Sequence, residues 1–153
     1  MEVMNRIEFA YDNLDEAFPP VDPLVAPCGD NVLVQIRSPK TKTKSGIHIV
    51  TDMRDTEFWV TQVAIVRAVG PVAYRFHDTL EPWPEGPWCE VGDYVRVPKH
   101  GGDRWTVKVP TADKEKTSVF DIDANYEALM VIFRAKEIIG KITGDPTLIK
   151  AFL

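Results

Sequence analysis

The spacing of apolar residues changes along the chain and separates a first helical segment from a β-rich remainder. Over residues 4–18, apolar side chains recur every three or four positions, which predicts a short amphipathic helix whose other face is acidic. Prolines between residues 19 and 23 end this pattern, because proline breaks the hydrogen-bond ladder of a helix. We therefore expect residues 1–25 to form an N-terminal acidic amphipathic arm.

The β-rich remainder consists of short apolar stretches separated by turns rich in Gly, Pro, Asp and Lys. Helical patterns do not alternate with these stretches, so the sequence predicts an all-β fold, a small β-barrel over residues 26–142. The expected strands are NVLVQI (31–36), VTQVAIVRAV (60–69), DYVRVP (93–98), RWTVKVP (104–110), SVFDI (118–122) and YEALMVIF (126–133).

Two connections in this domain are too long for simple hairpins, and the chain ends on a different pattern. Loops as long as residues 37–59 and 71–92 usually carry a function. Near the end, Asp145 followed by Pro146 is typical of a helix N-cap and a first helical position. Residues 143–153 are therefore expected to form a short helical tail, whose apolar face docks on the barrel or on a neighbour.

Composition narrows the classes of function. The 153 residues suit one domain, and 44% apolar with 27% charged residues is ordinary globular composition. A net charge of −5 argues against nucleic acid as the main partner. No apolar run reaches the roughly 18–20 residues of a membrane span, and the acidic start is unlike a secretory signal. A cytoplasmic location is therefore expected.

The residues that could carry chemistry form no catalytic or metal-binding motif. His48, His77 and His100 share no metal-ligand spacing with one another or with the two cysteines, so no metal site is expected. The common nucleophile, zincin, phosphate-loop and dinucleotide motifs are all missing, so no catalytic residue is assigned. The tryptophans could stack on a sugar or a base, or could simply pack a long loop rigidly.

Five stretches, taken in order, give the chain a family resemblance. They are PCGDNVLVQI (27–36), TKSGIHIV (43–50), TQVAIVRAVGP (61–71), EVGDYVRVPKHGG (90–102) and ALMVIFRAKEIIGKI (128–142). Their order resembles that of the GroES family, the ten-kilodalton co-chaperonins that cap a chaperonin ring. No single stretch is specific, and the order of all five carries the resemblance. It implies a GroES-like β-barrel with a mobile loop and a dome hairpin.

The resemblance also implies which residues act and on what. The mobile loop would bind apical domains of a GroEL-type chaperonin, and the second long loop would roof the cavity around an unfolded substrate protein. The chaperonin-binding residues would be Gly46, Ile47, His48, Ile49 and Val50, and the roof residues Tyr74, Trp83 and Trp88. The protein would be a homoheptamer and not an enzyme. It would need no cofactor, because the chaperonin uses the ATP.

The chain departs from the family pattern in ways that leave alternatives open. The arm and the tail have no counterpart in short members, and His48 stands where an aliphatic residue is usual, which resembles a diverged, phage-type member. Such a protein would work in the host cytoplasm. Residues 47–49 could instead begin a buried strand. The barrel could also serve as a virion structural or decoration protein, or as a sugar- or oligonucleotide-binding module. An enzyme is a further alternative, because medium-chain dehydrogenases carry a GroES-like catalytic domain, but the dinucleotide-binding domain and zinc ligands that they need do not fit in this length.

Overall fold

The computed structural model describes residues 14–38, 61–109 and 127–149, and within them the chain forms one antiparallel sheet. A single helical turn, α1 (Leu14–Ala17), precedes it, and a 3-10 turn (Ala135–Glu137) lies near its end. The strands are β1 (Asn31–Ile36), β2 (Val63–Val69), β3 (Tyr94–Arg96), β4 (Asp103–Lys108), β5 (Glu127–Arg134) and β6 (Gly140–Lys141). Their order in the sheet is β4-β5-β1-β2-β3-β6.

The sheet curls around a core, so its strands make a small barrel. Val95 of β3 and Val131 of β5 belong to the same buried cluster although β1 and β2 lie between their strands. A flat single sheet would leave this face open to solvent, whereas the buried members of the cluster are at most 9% exposed. The same cluster takes Val32, Val34 and Ile36 from β1, which are at most 1% exposed. The predicted all-β barrel class is therefore confirmed.

The strands form where apolar residues alternate or cluster. NVLVQI becomes β1 over the whole predicted range, and YEALMVIF becomes β5 with a shift of one residue. The stretch at 135–142 gives the 3-10 turn followed by β6, a two-residue edge strand. The expected strand at 118–122 and most of the expected N-terminal helix lie outside the described residues.

The described part of the C-terminal tail forms turns where the sequence predicted the start of a helix. The Asp145 carboxylate accepts hydrogen bonds from the backbone N–H and the hydroxyl of Thr147, as a capping residue does. The carbonyl groups of Pro146 and Ile149 accept hydrogen bonds from the guanidinium of Arg37. This tertiary contact uses the Pro146 carbonyl, which a continuing helix would use for its own ladder.

A close approach of backbone segments requires glycine at the end of β2. The N–H of Gly70 donates to the carbonyl oxygen of Asn31 at 2.8 Å. A side-chain carbon at position 70 would collide with the carbonyl oxygen of Gly29 and would lie 2.7 Å from that of Asn31. Because both obstacles are backbone atoms, no side chain can rotate away to make room.

We expect the substitution Gly70→Ala to destabilise the protein by about 1–3 kcal/mol, the usual cost of overpacking a tight site. Urea unfolding at a fixed protein concentration, followed by tryptophan fluorescence, measures the change. Gly144→Ala is the matched control, since a side-chain carbon there meets no atom within 4 Å. Equal unfolding midpoints for the two variants would contradict the steric explanation.

Candidate functional site

Residues 74–83 form a short hairpin beyond the end of β2, in the second long loop of the sequence. Arg75 pairs antiparallel with Pro82, and the N–H of Trp83 donates to the carbonyl of Tyr74 at 3.0 Å. The N–H of Phe76 donates to the carbonyl of Glu81 at 2.9 Å. The hairpin is therefore held by its own backbone and is not merely an irregular excursion.

The three predicted roof residues lie together at the base of this hairpin. The ring of Tyr74 is 5.5 Å from the rings of both Trp83 and Trp88, and the two indoles are 5.3 Å apart. Tilted and edge-to-face pairs at these distances are the favourable geometries for aromatic rings. Trp88 Nε1 also donates to the Glu85 carboxylate at 2.5 Å. We call Tyr74, Trp83 and Trp88 the aromatic cluster.

Tyr74 attaches the aromatic cluster to the barrel. It is 2% exposed, and its backbone φ of 60° lies in the left-handed region that tyrosine rarely adopts. Its hydroxyl donates to the carbonyl of Ala135 at 3.1 Å and lies 3.4 Å from Cys89 Sγ. Burial raises the pKa of the Tyr74 hydroxyl and also that of the Cys89 thiol. Cys89 is therefore a protonated packing residue at neutral pH, and a poor nucleophile.

The hairpin contains one of the three histidines of the chain. His77, on the exposed side of the hairpin, lies 3.6 Å from the Asp30 carboxylate. In the described ranges, no group of three or more His, Cys, Asp or Glu side chains is placed to hold a metal ion. None of the helices in those ranges has the length and apolar character needed to span a membrane.

The hairpin and the neighbouring sheet edge expose apolar side chains that the sequence patterns did not single out. Phe76 and Leu80, near the tip of the hairpin, are 46% and 52% exposed. A groove of about 300 Å³ beside Trp88 is lined by residues 138–141, which include edge strand β6. Whether an apolar side chain in a loop is exposed depends on the direction in which the folded loop points it. Isolated apolar residues between turn residues do not indicate that direction.

The five predicted chaperonin-binding residues lie outside the described part of the chain, but both flanks of their segment are described. Ser38 and Thr61, which bracket residues 39–60, are each 1% exposed. Arg37, directly before Ser38, is also 1% exposed and contacts the C-terminal tail. Sequence patterns did not single out Arg37. The only local signal is a charged residue that directly follows a buried strand, and its acceptors lie 109 and 112 residues away.

Raising the pH should destabilise the protein through Tyr74 and Cys89. Their ordinary pKa values are 10.0 and 9.0, and burial raises both in the folded state. Above pH 9 the unfolded chain therefore releases these protons first, and stability that is present below that pH is lost as the pH rises. Thermal unfolding between about pH 7 and 10.5 should show a declining midpoint, with a shallower decline in Tyr74→Phe and Cys89→Ala.

Cys28→Ser is the matched control for this pH series, because the Cys28 thiol is exposed. It should keep the wild-type decline. At neutral pH, Tyr74→Phe should also cost about 1 kcal/mol, since the Ala135 carbonyl loses its donor. A decline of the same slope in all variants would show that other groups cause it.

Comparison with known families identifies the domain. Residues 24–142 match the family described as the chaperonin 10 Kd subunit, and a comparison with curated proteins finds no match. The matched range contains every strand of the described sheet and confirms the resemblance in the five stretches. Members of this family are non-enzymatic co-chaperonins that assemble as rings and work with a chaperonin. Because the match covers most of the chain and the whole sheet, the protein belongs to the chaperonin 10 Kd subunit family.

Proposed function

We propose that this co-chaperonin caps one ring of a GroEL-type chaperonin and encloses a folding substrate protein. The observation that carries the proposal is the family match over residues 24–142, which includes the sheet and the segment at 39–60. In this proposal Gly46, Ile47, His48, Ile49 and Val50 bind an apolar groove of the chaperonin apical domain. The cytoplasm, of the host if a phage encodes the protein, is the proposed location.

The proposed contact is weak for each subunit and strong for a ring. Burying the side chains of Ile47 and Ile49 contributes roughly 3–6 kcal/mol. Ordering a polar segment rich in lysine and threonine costs about 1–2 kcal/mol per residue fixed, which offsets most of that gain. Seven segments on one ring gain by avidity, on the order of 10²–10⁴ in affinity when the geometry permits simultaneous binding. A homoheptamer thus holds its partner and still dissociates when the partner changes shape.

The placement of the two long connections supports this function. The flanks of residues 39–60 adjoin the end of β1 and the start of β2, whereas the 74–83 hairpin follows the opposite end of β2. β1 spans about 20 Å, so the flanks of residues 39–60 and the 74–83 hairpin lie at opposite ends of the β1–β2 pair. A cap requires this separation, because one end contacts the chaperonin and the other closes the cavity. The aromatic cluster would stiffen the closing end.

Native mass spectrometry of the protein alone, and with a GroEL-type chaperonin and ATP, tests the proposal. We expect an assembly of seven 17.3 kDa chains that joins the chaperonin only when nucleotide is present. A monomer or trimer that ignores the chaperonin would refute the proposal. That result would favour a virion structural role for an inherited barrel. ATP is included for the chaperonin alone, since we propose that the protein itself needs no cofactor.

The double substitution Ile47→Asp with Ile49→Asp should remove chaperonin binding and leave the ring intact. Loss of both aliphatic contacts should weaken binding at least about 100-fold. Leu24→Asp is the matched control, because Leu24 is an aliphatic residue, 73% exposed, in a backbone conformation that aspartate tolerates. Surface-immobilised chaperonin with ATP measures the affinities. Equal binding by both variants would exclude the 46–50 segment as the contact.

A further inference from the structure

The arm and the tail meet at the point where residues 39–60 leave the sheet. The N–H of Ser38 donates to the carbonyl oxygen of Ala17 in the arm at 2.8 Å. The guanidinium of Arg37 donates from Nη1 to the carbonyl oxygens of Pro146 and Ile149 in the tail, at 2.7 and 2.6 Å. Two consecutive residues of the chain thus contact both extensions.

Outward-facing polar side chains of the sheet hold the arm in a defined position. Gln35 is fully buried, and its Nε2 donates to the carbonyl of Pro19 at 2.9 Å. Arg67 donates to Gln35 Oε1 at 2.8 Å and to the carbonyl of Phe18 at 3.3 Å. Arg67 is the extra residue of a β-bulge, since Leu33 pairs with Ala68 while Val34 pairs with Val66. Hydrogen bonds to charged donors are among the stronger ones in proteins.

A separate apolar cluster joins the arm, the sheet and the tail. Phe18 from the arm, 3% exposed, packs against the ring of Tyr94 in a tilted arrangement with centroids 5.1 Å apart. The cluster contains Ala17, Phe18, Val63 and Ile65, with Tyr94, Ile142 and Ile149 packed against it. It lies outside the barrel core and beside β2, close to Thr61, where the 39–60 segment returns. Its burial stabilises the positions that the hydrogen bonds specify.

We propose that residues 17–19 and 146–149, together with Arg37 and Ser38, form a socket that fixes how the 39–60 segment leaves the barrel. Arg37 is the positioning residue, because its guanidinium donates to two carbonyl groups of the tail and Arg37 lies only two residues before the segment. The binding role of the segment rests on the function proposed above. The socket itself follows from the contacts alone.

The socket joins residues inside the family match to residues outside it. The family match covers residues 24–142, whereas the arm and tail residues of the socket lie outside that range. Fixing the base of a binding segment reduces the conformational freedom that binding must remove, and therefore raises affinity. The extensions would thus tune chaperonin binding without contacting the chaperonin.

Amide hydrogen exchange tests the socket without a partner. The variants are Arg37→Met, Phe18→Ala and a chain ending at Gly144, which lacks both tail acceptors of Arg37. We expect the Ser38 amide to exchange at least about tenfold faster in each, since one hydrogen bond to a charged group typically changes an equilibrium by that factor or more. Amides inside β1 and β5 should keep their protection. Leu148→Ala is the matched control, because Leu148 is 80% exposed in the same tail.

Chaperonin affinity, measured with ATP on the same variants, tests the consequence. We expect about tenfold weaker binding per segment for Arg37→Met and the truncated chain, with Leu148→Ala as wild type. Because truncation already removes both tail acceptors of Arg37, adding Arg37→Met to the truncated chain should weaken binding no further. Arg37→Lys, which keeps a donor, should restore part of the affinity. If Arg37→Met fails to fold, the truncated chain decides the question, because it leaves β1 unaltered.

The outcomes separate the two proposals. Unchanged Ser38 exchange in the truncated chain would overturn the socket, and so would faster exchange throughout the sheet, which indicates general destabilisation. Faster local exchange with unchanged or stronger chaperonin binding would overturn the positioning role of Arg37. If the Ser38 amide exchanges faster in the variants but the wild-type protein does not bind the chaperonin, the socket is supported and the proposed function is rejected.

Discussion

The structure depends on β1 being buried on both of its faces. β1 pairs with β2 on one side and with β5 on the other, so its backbone hydrogen bonds are used within the sheet. Its inward side chains Val32, Val34 and Ile36 fill the barrel core, and its outward side chains Leu33 and Gln35, followed by Arg37, are at most 1% exposed. A small curled sheet covers its own inner face, but something else must cover the outer one. In this protein the arm and the tail do so.

Gln35 and Arg37, the polar residues on the outer face, determine how the arm and the tail pack over it. A buried amide or guanidinium without a partner costs about 1–3 kcal/mol or more, so Gln35 and Arg37 restrict what can pack over them. Their acceptors are carbonyl oxygens of Pro19, Pro146 and Ile149, in segments where helix or strand hydrogen bonds do not compete. An apolar surface alone would accept many arrangements of the extensions. The hydrogen bonds of Gln35 and Arg37 favour one of these arrangements.

Sequence patterns predicted the local features and missed those that depend on distant segments. Alternation in NVLVQI predicted β1, and the family resemblance placed Tyr74, Trp83 and Trp88 in one loop, where they form a cluster. The alternating pattern indicates that Gln35 and Arg37 lie on the same face of the strand. It does not indicate that this face is buried, because the hydrogen-bond partners of the two side chains lie 16 and 109 residues away. The tail is a second case in which sequence patterns did not predict a contact between distant segments. Asp145 accepts hydrogen bonds from Thr147, as an N-cap would, but residues 146–149 form turns and a tertiary donor takes the Pro146 carbonyl. The predicted chaperonin-binding residues at 46–50 lie outside the described ranges, so their placement stays a prediction.

The 74–83 hairpin and the socket around Arg37 lie at opposite ends of the β1–β2 pair. The Tyr74 hydroxyl joins the 74–83 hairpin to Ala135, beside the start of β1, whereas Arg37 joins the tail to the end of β1. These two sites are about 20 Å apart. Substitutions at sites so far apart, without shared contacts, usually have additive effects on stability. Residues 17–19 and 146–149, which lie outside the family match, contact the Arg37 end. A substitution in the socket is therefore expected to change the base of the proposed binding segment and to leave the stability of the 74–83 hairpin unaltered.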